Sequence, residues 1–375
     1  MKHFIYADNA ATTKLDIDAF EAMKPYLLEE YGNASQPYSF ARKPKQALKE
    51  AREVVASCIN ADPDEIYFTS GGTEADNWAI KGVILNDLHN GVLITSQIEH
   101  HAVLRACESL EKLGYPVVYL PSNKEGTITA KSLESVITNK TKLVSIMMVN
   151  NEIGTIQPIK ELSEIAHFNG ALFHTDAVQA LGHIAVDVKK LGVDLLSASA
   201  HKFNGPKGVG FLYIKNGTLV SPYANGGSQE LGMRAGTENI AAIVGMAVAL
   251  KKACDCIKPS QENFEQLKSA FLNTLYESEV DFLLNGNISS VPNIINISIK
   301  GASGERLLHR LDLMGISIST GSACDSVNEE LSHVVRAIGL DDEYAYGTIR
   351  ISFGKYNTVE EAINVAEAII KVVKG

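Results

Sequence analysis

Residues 70–74 carry the first group with a recognisable chemistry. They read Ser-Gly-Gly-Thr-Glu and lie between an apolar, strand-like run and a helical pattern. Paired glycines let backbone N–H groups approach an anion, and the N-terminus of a helix favours negative charge. The motif therefore fits a phosphate site. An ordinary helix start with Thr73 as its N-cap residue is the alternative, and the motif alone favours that alternative.

An acid and a lysine follow later apolar runs. Asp176 comes after residues 172–174, and a carboxylate at the end of a buried strand is costly unless a cation or a protonated ring nitrogen pairs with it. Capping of the next helix is the simpler role for Asp176. Lys202 follows the run 195–200 and precedes a Gly/Pro turn, which predicts a position near the sheet. A lysine kept from water has a lowered pKa and can form a Schiff base with an aldehyde.

The elements around these groups predict an α/β fold. From about residue 65, short apolar β-rich runs alternate with helical patterns, which is typical of a mainly parallel sheet covered by helices on both faces. Side chains at the carboxyl ends of such strands gather at one edge. After Leu250, fewer strands and longer helical stretches indicate a smaller α+β domain. We expect a large domain at residues 15–255 and a small domain formed by residues 1–14 and 256–375.

The anion site, the acid and the lysine together match the needs of pyridoxal 5'-phosphate. The anion site would hold the phosphate, the acid would keep the pyridine nitrogen protonated, and the lysine would hold the aldehyde. Each signal is weak alone. Their order on successive βα units makes the prediction much stronger.

The composition excludes several other classes of protein. The 375 residues include 34 Lys and Arg against 44 Asp and Glu, with no cluster of basic residues. Nucleic acid or an anionic membrane is therefore not an expected partner, because binding a phosphate backbone needs a basic face. The longest apolar run, residues 240–250, is too short for a membrane span, and we expect a cytoplasmic protein. The five cysteines lack the spacing of a zinc site or of a disulfide framework.

Nine short segments, in order along essentially the whole chain, resemble the pyridoxal-phosphate-dependent cysteine desulfurases. The resemblance is to the subgroup with a long, mobile cysteine loop, within the fold-type I enzymes. The nine segments are residues 6–13, 70–74, 99–100, 149–154, 176–179, 199–202, 232–239, 321–324 and 350–354.

The resemblance implies an activity and its two central residues. The enzyme would convert L-cysteine to L-alanine, with Lys202 binding the cofactor and moving the substrate proton. The thiolate of Cys324 would take the sulfur as a persulfide and pass it to an acceptor thiol. The acceptor would be an iron–sulfur scaffold protein or a protein of tRNA or cofactor thiolation. Residues 319–326 are small and polar, the composition of a loop able to move.

The resemblance also implies roles for the other site residues. Asp176 would pair with the pyridine nitrogen, Gln179 would bind the ring hydroxyl, and His100 would stack on the ring and serve acid–base steps. Arg350 would clamp the substrate carboxylate, with Asn151 contacting cofactor or substrate and Asn33 lying near the substrate. The phosphate would be bound by Gly72, Thr73, Ser199 and His201, and by Thr237 from the other subunit, which implies a homodimer.

Three other readings remain open at this point. The first is another fold-type I enzyme, such as a selenocysteine lyase or an aminotransferase. The second is a sulfur-transfer scaffold that binds the cofactor without turnover. The third is a Cys–His hydrolase, which would leave Lys202 and the anion site without a role. One departure from the family pattern concerns residues 36–38, Gln-Pro-Tyr, where the family commonly has Ser, an apolar residue and His.

Overall fold

The structure is a computed structural model that describes residues 4–86, 91–287, 289–321 and 331–375. The strands are β1 Ile5–Tyr6, β2 Ile66–Thr69, β3 Val92–Ser96, β4 Val117–Leu120, β5 Thr141–Ser145, β6 Leu172–Asp176, β7 Leu195–Ser199, β8 Gly210–Ile214, β9 Phe282–Asn285, β10 Ile294–Ile299, β11 Ile316–Ser317 and β12 Thr348–Ser352. The helices are α1 Ile17–Leu28, α2 Arg42–Ile59, α3 Gly72–Ile84, α4 His101–Lys112, α5 Ala130–Glu134, α6 Ile159–Phe168, α7 Val188–Leu191, α8 Ile240–Asp255, α9 Ile257–Tyr276, α10 Gly304–Leu313, α11 His333–Ala337, α12 Asp342–Ala345 and α13 Val359–Lys374.

The central sheet has seven strands in the order β2-β8-β7-β6-β5-β3-β4. Strands β3 to β7 run parallel to one another, and β8 is antiparallel to both β2 and β7. The predicted α/β fold with a mainly parallel sheet is confirmed. Every residue of β7 and β8 is buried, which explains why these strands are apolar runs without alternation.

Helices cover both faces of this sheet. One core packs residues of α1, α2, α6 and α8 against the strands, and a second core packs α3 and α4 against the other face. On α4, Val103, Cys107 and Leu110 are buried at helical spacing, so one stripe faces the sheet. This double covering fixes the strand ends from which the polar groups project.

A second group of strands packs on its own core. Strands β12, β10 and β9 form an antiparallel sheet, and β1 pairs in parallel with β11. Their apolar side chains pack with those of α9, α10 and α13. Strand β9 was not expected from the sequence, because it is short and Leu283 and Leu284 are exposed at the sheet edge. Within the described ranges, every helix is too short or too polar to span a bilayer.

Candidate active site

A cavity of about 480 Å³ opens at the carboxyl ends of β6 and β7. Its walls come from the central sheet, from the start of α3, from the loop after β1 and from β12. Ten of the site residues expected from the sequence line it: Gly72, Thr73, His100, Asn151, Asp176, Gln179, Ser199, His201, Lys202 and Arg350. The parallel strand ends and the second sheet thus bring together groups that are far apart in the chain.

Lys202 lies in the short helical turn Ala200–Lys202 that directly follows β7. Its Nζ donates hydrogen bonds to the backbone carbonyls of Ala10 and Ala11, at 2.5 and 2.9 Å. The Thr13 hydroxyl donates to the His201 carbonyl at 2.8 Å and ties this turn to the loop after β1. The amine is therefore held inside the cavity and directed by two carbonyl oxygens.

Asp176 is the last residue of β6 and is 5% exposed. Its carboxylate accepts one hydrogen bond, from the Val178 backbone N–H at 2.9 Å. Burial raises the pKa of Asp176 to about 6, against the opposing effects of that hydrogen bond and of Lys202. A cationic partner such as a protonated ring nitrogen would further stabilise the ionised form.

The anion end of the cavity is built mainly from backbone. Gly71 has φ +150°, which favours glycine, and α3 begins at Gly72. A Cβ at Gly72 would come within 2.7 Å of Val178 Cγ2, so glycine permits the tight packing of this helix start on the loop after β6. Helix α3 is thirteen residues long, and its N-terminal end, which carries the positive end of the helix dipole, borders the cavity.

Uncharged polar side chains complete the anion end. Ser199 ends β7, and His201 Nδ1 lies 3.1 Å from the Thr12 hydroxyl. Burial, followed by the charges of Lys202, Lys207 and His100, lowers the pKa of His201 to about 4. His201 is therefore neutral at pH 7 and can offer a hydrogen bond but no positive charge.

Arg350 forms the opposite end of the cavity. It lies on β12 and is 1% exposed. Nη1 donates to the Asn151 carbonyl and Nη2 donates to Asp8 Oδ1, both at 2.8 Å. Among the described residues, Nε has no hydrogen-bond partner. A buried guanidinium fixed in this way and retaining an unsatisfied donor can bind a carboxylate.

Two further groups lie between the ends. His100 is the N-cap residue of α4, and its Nδ1 accepts a hydrogen bond from the Ala102 N–H at 3.1 Å. Because Nδ1 is an acceptor, a proton on this ring belongs to Nε2. Gln179 Nε2 donates to the Ala10 carbonyl at 2.8 Å, which fixes its side chain on the same loop that Lys202 contacts.

Three expected site residues do not line this cavity in the described chain. Asn33 accepts a hydrogen bond from the Ser35 N–H within its own loop. Thr237 is exposed and borders a neighbouring cavity of about 160 Å³ together with Ser70 and Gly208. Cys324 lies outside the described residues.

Sequence reasoning assigned no role to three acids that the structure places at the site. Asp8 orients Arg350, Asp76 lines the cavity, and Glu99 accepts hydrogen bonds from Ser96 Oγ and the Met147 N–H. Asp76 carried a signal, because it occupies the apolar stripe of α3 shared with Ala75 and Ala79. Burial raises the pKa of Glu99 to about 8.

The groups that line the cavity and its volume both fit pyridoxal phosphate. It offers an anion end of backbone N–H groups, an amine held within the cavity, and a buried carboxyl whose ionised form a cation would stabilise. Its volume, about 480 Å³, lies within the range of small-ligand sites.

Comparison with known proteins supports the same conclusion. Residues 5–365 match the family model described as aminotransferase class-V. The chain is 49% identical to a cysteine desulfurase IscS of Dictyoglomus turgidum, over 99% of this chain and 95% of that protein. It is 45% identical to a cysteine desulfurase IscS of Methanosarcina thermophila, over 99% of this chain and 92% of that protein.

Two solved structures are similar to it. A NifS-like protein superposes with a TM-score of 0.94 at 36% identity, covering 99% of this chain and all of the other. SspA in complex with cysteine superposes with a TM-score of 0.85 at 36% identity, covering 94% of this chain and all of the other. The chain belongs to the class-V aminotransferase family and, within it, to the pyridoxal-phosphate-dependent cysteine desulfurases.

Proposed function

We propose that this enzyme converts L-cysteine to L-alanine and carries the removed sulfur as a persulfide on Cys324. One observation carries the proposal: a single cavity holds the Lys202 amine, the buried Asp176 carboxyl and the Arg350 guanidinium. The amine can bind the cofactor's aldehyde, the carboxyl can pair with its ring nitrogen, and the guanidinium can bind the substrate's carboxylate. The relatives named cysteine desulfurase and the neighbour solved with cysteine support the choice of substrate.

The residues divide the binding of the cofactor among themselves. Gly72, Thr73, Ser199 and His201 hold the phosphate, and Asp176 pairs with the pyridine nitrogen. Bound pyridoxal phosphate supplies an aldehyde for amines and a ring that withdraws electrons from the substrate. The remaining groups position the amino acid and move protons.

Lys202 has two tasks. Its Nζ would hold the cofactor's aldehyde at the place that the carbonyls of Ala10 and Ala11 define. The same amine, when free, would accept the proton from the substrate Cα. His100, whose ring is fixed through Nδ1, offers Nε2 for a second proton transfer.

Arg350 and Asn151 fix the substrate's orientation. The guanidinium of Arg350, which lines the cavity, binds the carboxylate. Asp8 holds the guanidinium from behind, so its orientation exists before substrate arrives. Preorganisation of this kind lowers the entropic cost of binding.

The thiolate of Cys324 then attacks the sulfur of the substrate. The new S–S bond forms as the substrate's Cβ–S bond breaks, and the electron pair of that bond stays with the carbon skeleton, which gains protons and leaves as alanine. An acceptor thiolate later takes the outer sulfur from the persulfide. The acceptor is a protein thiol of an iron–sulfur scaffold or of a tRNA or cofactor thiolation pathway.

The described flanks of the cysteine segment support this role. Ser319 pairs with Arg350 through two backbone hydrogen bonds of 3.1 and 2.7 Å. On the other side, the Ser332 hydroxyl donates to Glu152 at 2.6 Å, one residue from the cavity residue Asn151. Both described flanks of the segment that contains Cys324 therefore contact residues of the cavity wall or their immediate neighbours.

Replacing this thiol tests the function. Cys324→Ser should keep the visible absorbance of the bound cofactor and lose alanine formation from L-cysteine by about 100-fold or more, since no thiolate remains to accept sulfur. Cys256→Ser, at an exposed cysteine, is the matched control and should retain the parent rate. Alanine release by Cys324→Ser at the parent rate would refute the proposal.

We further propose a cytoplasmic homodimer in which Thr237 completes the partner's phosphate site. Thr237 is exposed beside Ser70 and Gly208, which supports a role across an interface. Homodimers of Lys202→Ala and homodimers of Thr237→Ala should each have low desulfurase activity. Mixed dimers of the two carry one intact site and should recover activity. A mixture with no recovery, or a monomer that binds the cofactor fully, contradicts this assignment.

A further inference from the structure

Asp76 is a second buried acid beside Asp176. It lies on α3, is 1% exposed and lines the same cavity. The two carboxyls interact electrostatically, since the charge of Asp176 acts on Asp76. If both were ionised, two negative charges would share a site shielded from water, which is strongly unfavourable.

The groups that face Asp76 do not neutralise it, although a hydrogen bond from the Ser197 hydroxyl favours its ionised form. His174 Nε2 is 3.7 Å from Asp76 Oδ1, but the two ring nitrogens of His174 lie 2.8 and 2.9 Å from the hydroxyls of Ser145 and Ser197. A neutral imidazole satisfies both hydroxyls, and burial lowers the pKa of His174 to about 3. The third acid nearby, Glu99, has a pKa that burial raises to about 8, so it is mostly protonated at pH 7 and offers Asp76 no counter-charge.

Lys202, one of the cations that line the cavity, acts on the other acid. Lys202 stabilises the ionised form of Asp176, and its Nζ is bound by two backbone carbonyls. Asp76 Oδ1 has no hydrogen-bond partner among the described residues. A buried, unpartnered carboxylate oxygen is costly, whereas a proton on Asp76 removes the charge. Burial, with the Asp176 charge next in size, raises the pKa of Asp76 well above its ordinary value.

We propose that Asp76 is a positioning residue that keeps a proton, so that Asp176 alone carries the negative charge facing the cofactor's pyridine nitrogen. The inference rests on the proposed role of Asp176. One ionised carboxylate matches one protonated ring nitrogen, and the neutral Asp76 leaves that pair as the only charge match at the ring. Asp76 thereby acts on the cofactor through Asp176 and not by contact.

Infrared spectroscopy tests the protonation directly. The protein is made with and without a heavy carbon isotope in the side-chain carboxyl of aspartate, and the carbonyl band of protonated acids is recorded at pH 7 with and without cofactor. An isotope-sensitive band is expected in the parent protein and in Asp176→Asn, and none in Asp76→Asn. The isotope label is in aspartate alone, so the carbonyl band of a protonated Glu99 does not shift and can be told apart. Absence of an aspartate band, or its loss in Asp176→Asn alone, overturns the proposal.

Cofactor affinity provides the second readout. Asp76→Asn is isosteric and neutral, so its dissociation constant for pyridoxal phosphate should stay within about threefold of the parent, whereas Asp176→Asn should weaken binding about tenfold or more. Equal weakening by both variants would show that Asp76 is ionised and overturn the proposal. If Asp176→Asn binds as tightly as the parent, the role of Asp176 fails, while the labelled band still reports the proton on Asp76. The parent protein's band decides the question even if Asp76→Asn does not fold.

Discussion

The two ends of the cavity receive negatively charged groups by different physical means. The anion end uses backbone N–H groups at the start of α3 and the neutral His201, with the Lys207 ammonium also on the cavity wall. The carboxylate end uses the buried charge of Arg350, held by Asp8 and by the Asn151 carbonyl. This difference between the two ends matches how long each bound group stays in the cavity. A cofactor phosphate that stays bound needs a rigid cradle, and a substrate that enters and leaves needs a strong, directional cation that exists before it arrives.

The largest expected effect is at the carboxylate end. In Arg350→Lys, the KM for L-cysteine should rise about 100-fold, because an ammonium group cannot form the fork that Asp8 and Asn151 orient. Cofactor affinity should stay unchanged, as measured by absorbance titration. Arg336→Lys is the control, since Arg336 is exposed. A KM within threefold of the parent would remove the proposed distinction between the two ends.

A mutation at the anion end should weaken the binding of the cofactor and leave the KM for L-cysteine unchanged. In Gly72→Ala, the new methyl group meets Val178 Cγ2 at 2.7 Å, so cofactor affinity should fall about 10- to 100-fold. At saturating cofactor, the KM for L-cysteine should remain that of the parent. The double variant Gly72→Ala/Val178→Ala removes the clash and should recover part of the affinity. No recovery would show that the loss does not come from this contact.

A smaller effect is expected from Asp8→Asn. The amide retains a hydrogen bond to Arg350 Nη2 but loses the charge-assisted part, so the KM for L-cysteine should rise about tenfold. The kcat should change less than the KM, because Asp8 does not touch the reacting atoms. Steady-state kinetics give both values. A fall in kcat with an unchanged KM would place Asp8 in the chemical step.

The smallest effect is a pH dependence at the anion end. The pKa of His201 is about 4 in the folded protein and near 6.5 in the unfolded chain, so the unfolded chain takes up the proton first. Stability of the cofactor-free protein should therefore fall as pH drops from about 6.5 to about 4, and His201→Gln should reduce that fall by about 1–2 kcal/mol after solvent screening. Urea unfolding at several pH values measures it. Identical slopes for both proteins would contradict a neutral His201.

The sequence predicted much of the fold because its strands are wholly buried. The apolar runs 172–174 and 195–200 became β6, Leu172–Asp176, and β7, Leu195–Ser199, whereas the end of β5 at Ser145 has another cause. Beyond Ser145, the N–H groups of Ile146 and Met148 still bond to carbonyls along β6, but the Met147 N–H turns to Glu99. The apolar pattern of the sequence could not show that the Met147 N–H bonds to Glu99 instead of continuing the strand.

The site was predictable at the strand ends and less so elsewhere. Lys202 and Asp176 follow apolar runs, and their order along the chain suggested the cofactor. The contact of Arg350 with Asp8 joins residues 342 positions apart, and only tertiary structure creates it. Thr237 and Asn33 do not line the cavity of one chain, and their roles stay predictions, as does the division into two domains near residue 255.

The most direct test of the sulfur pathway is peptide mass spectrometry after a single turnover. The cofactor-loaded enzyme is mixed with L-cysteine without reductant and digested, and each cysteine peptide is weighed. One additional sulfur on the peptide that contains Cys324, with an equal amount of alanine released, is the predicted result. Additional sulfur on the peptides of Cys58, Cys107, Cys254 or Cys256, or alanine released with no sulfur bound at Cys324, would contradict it.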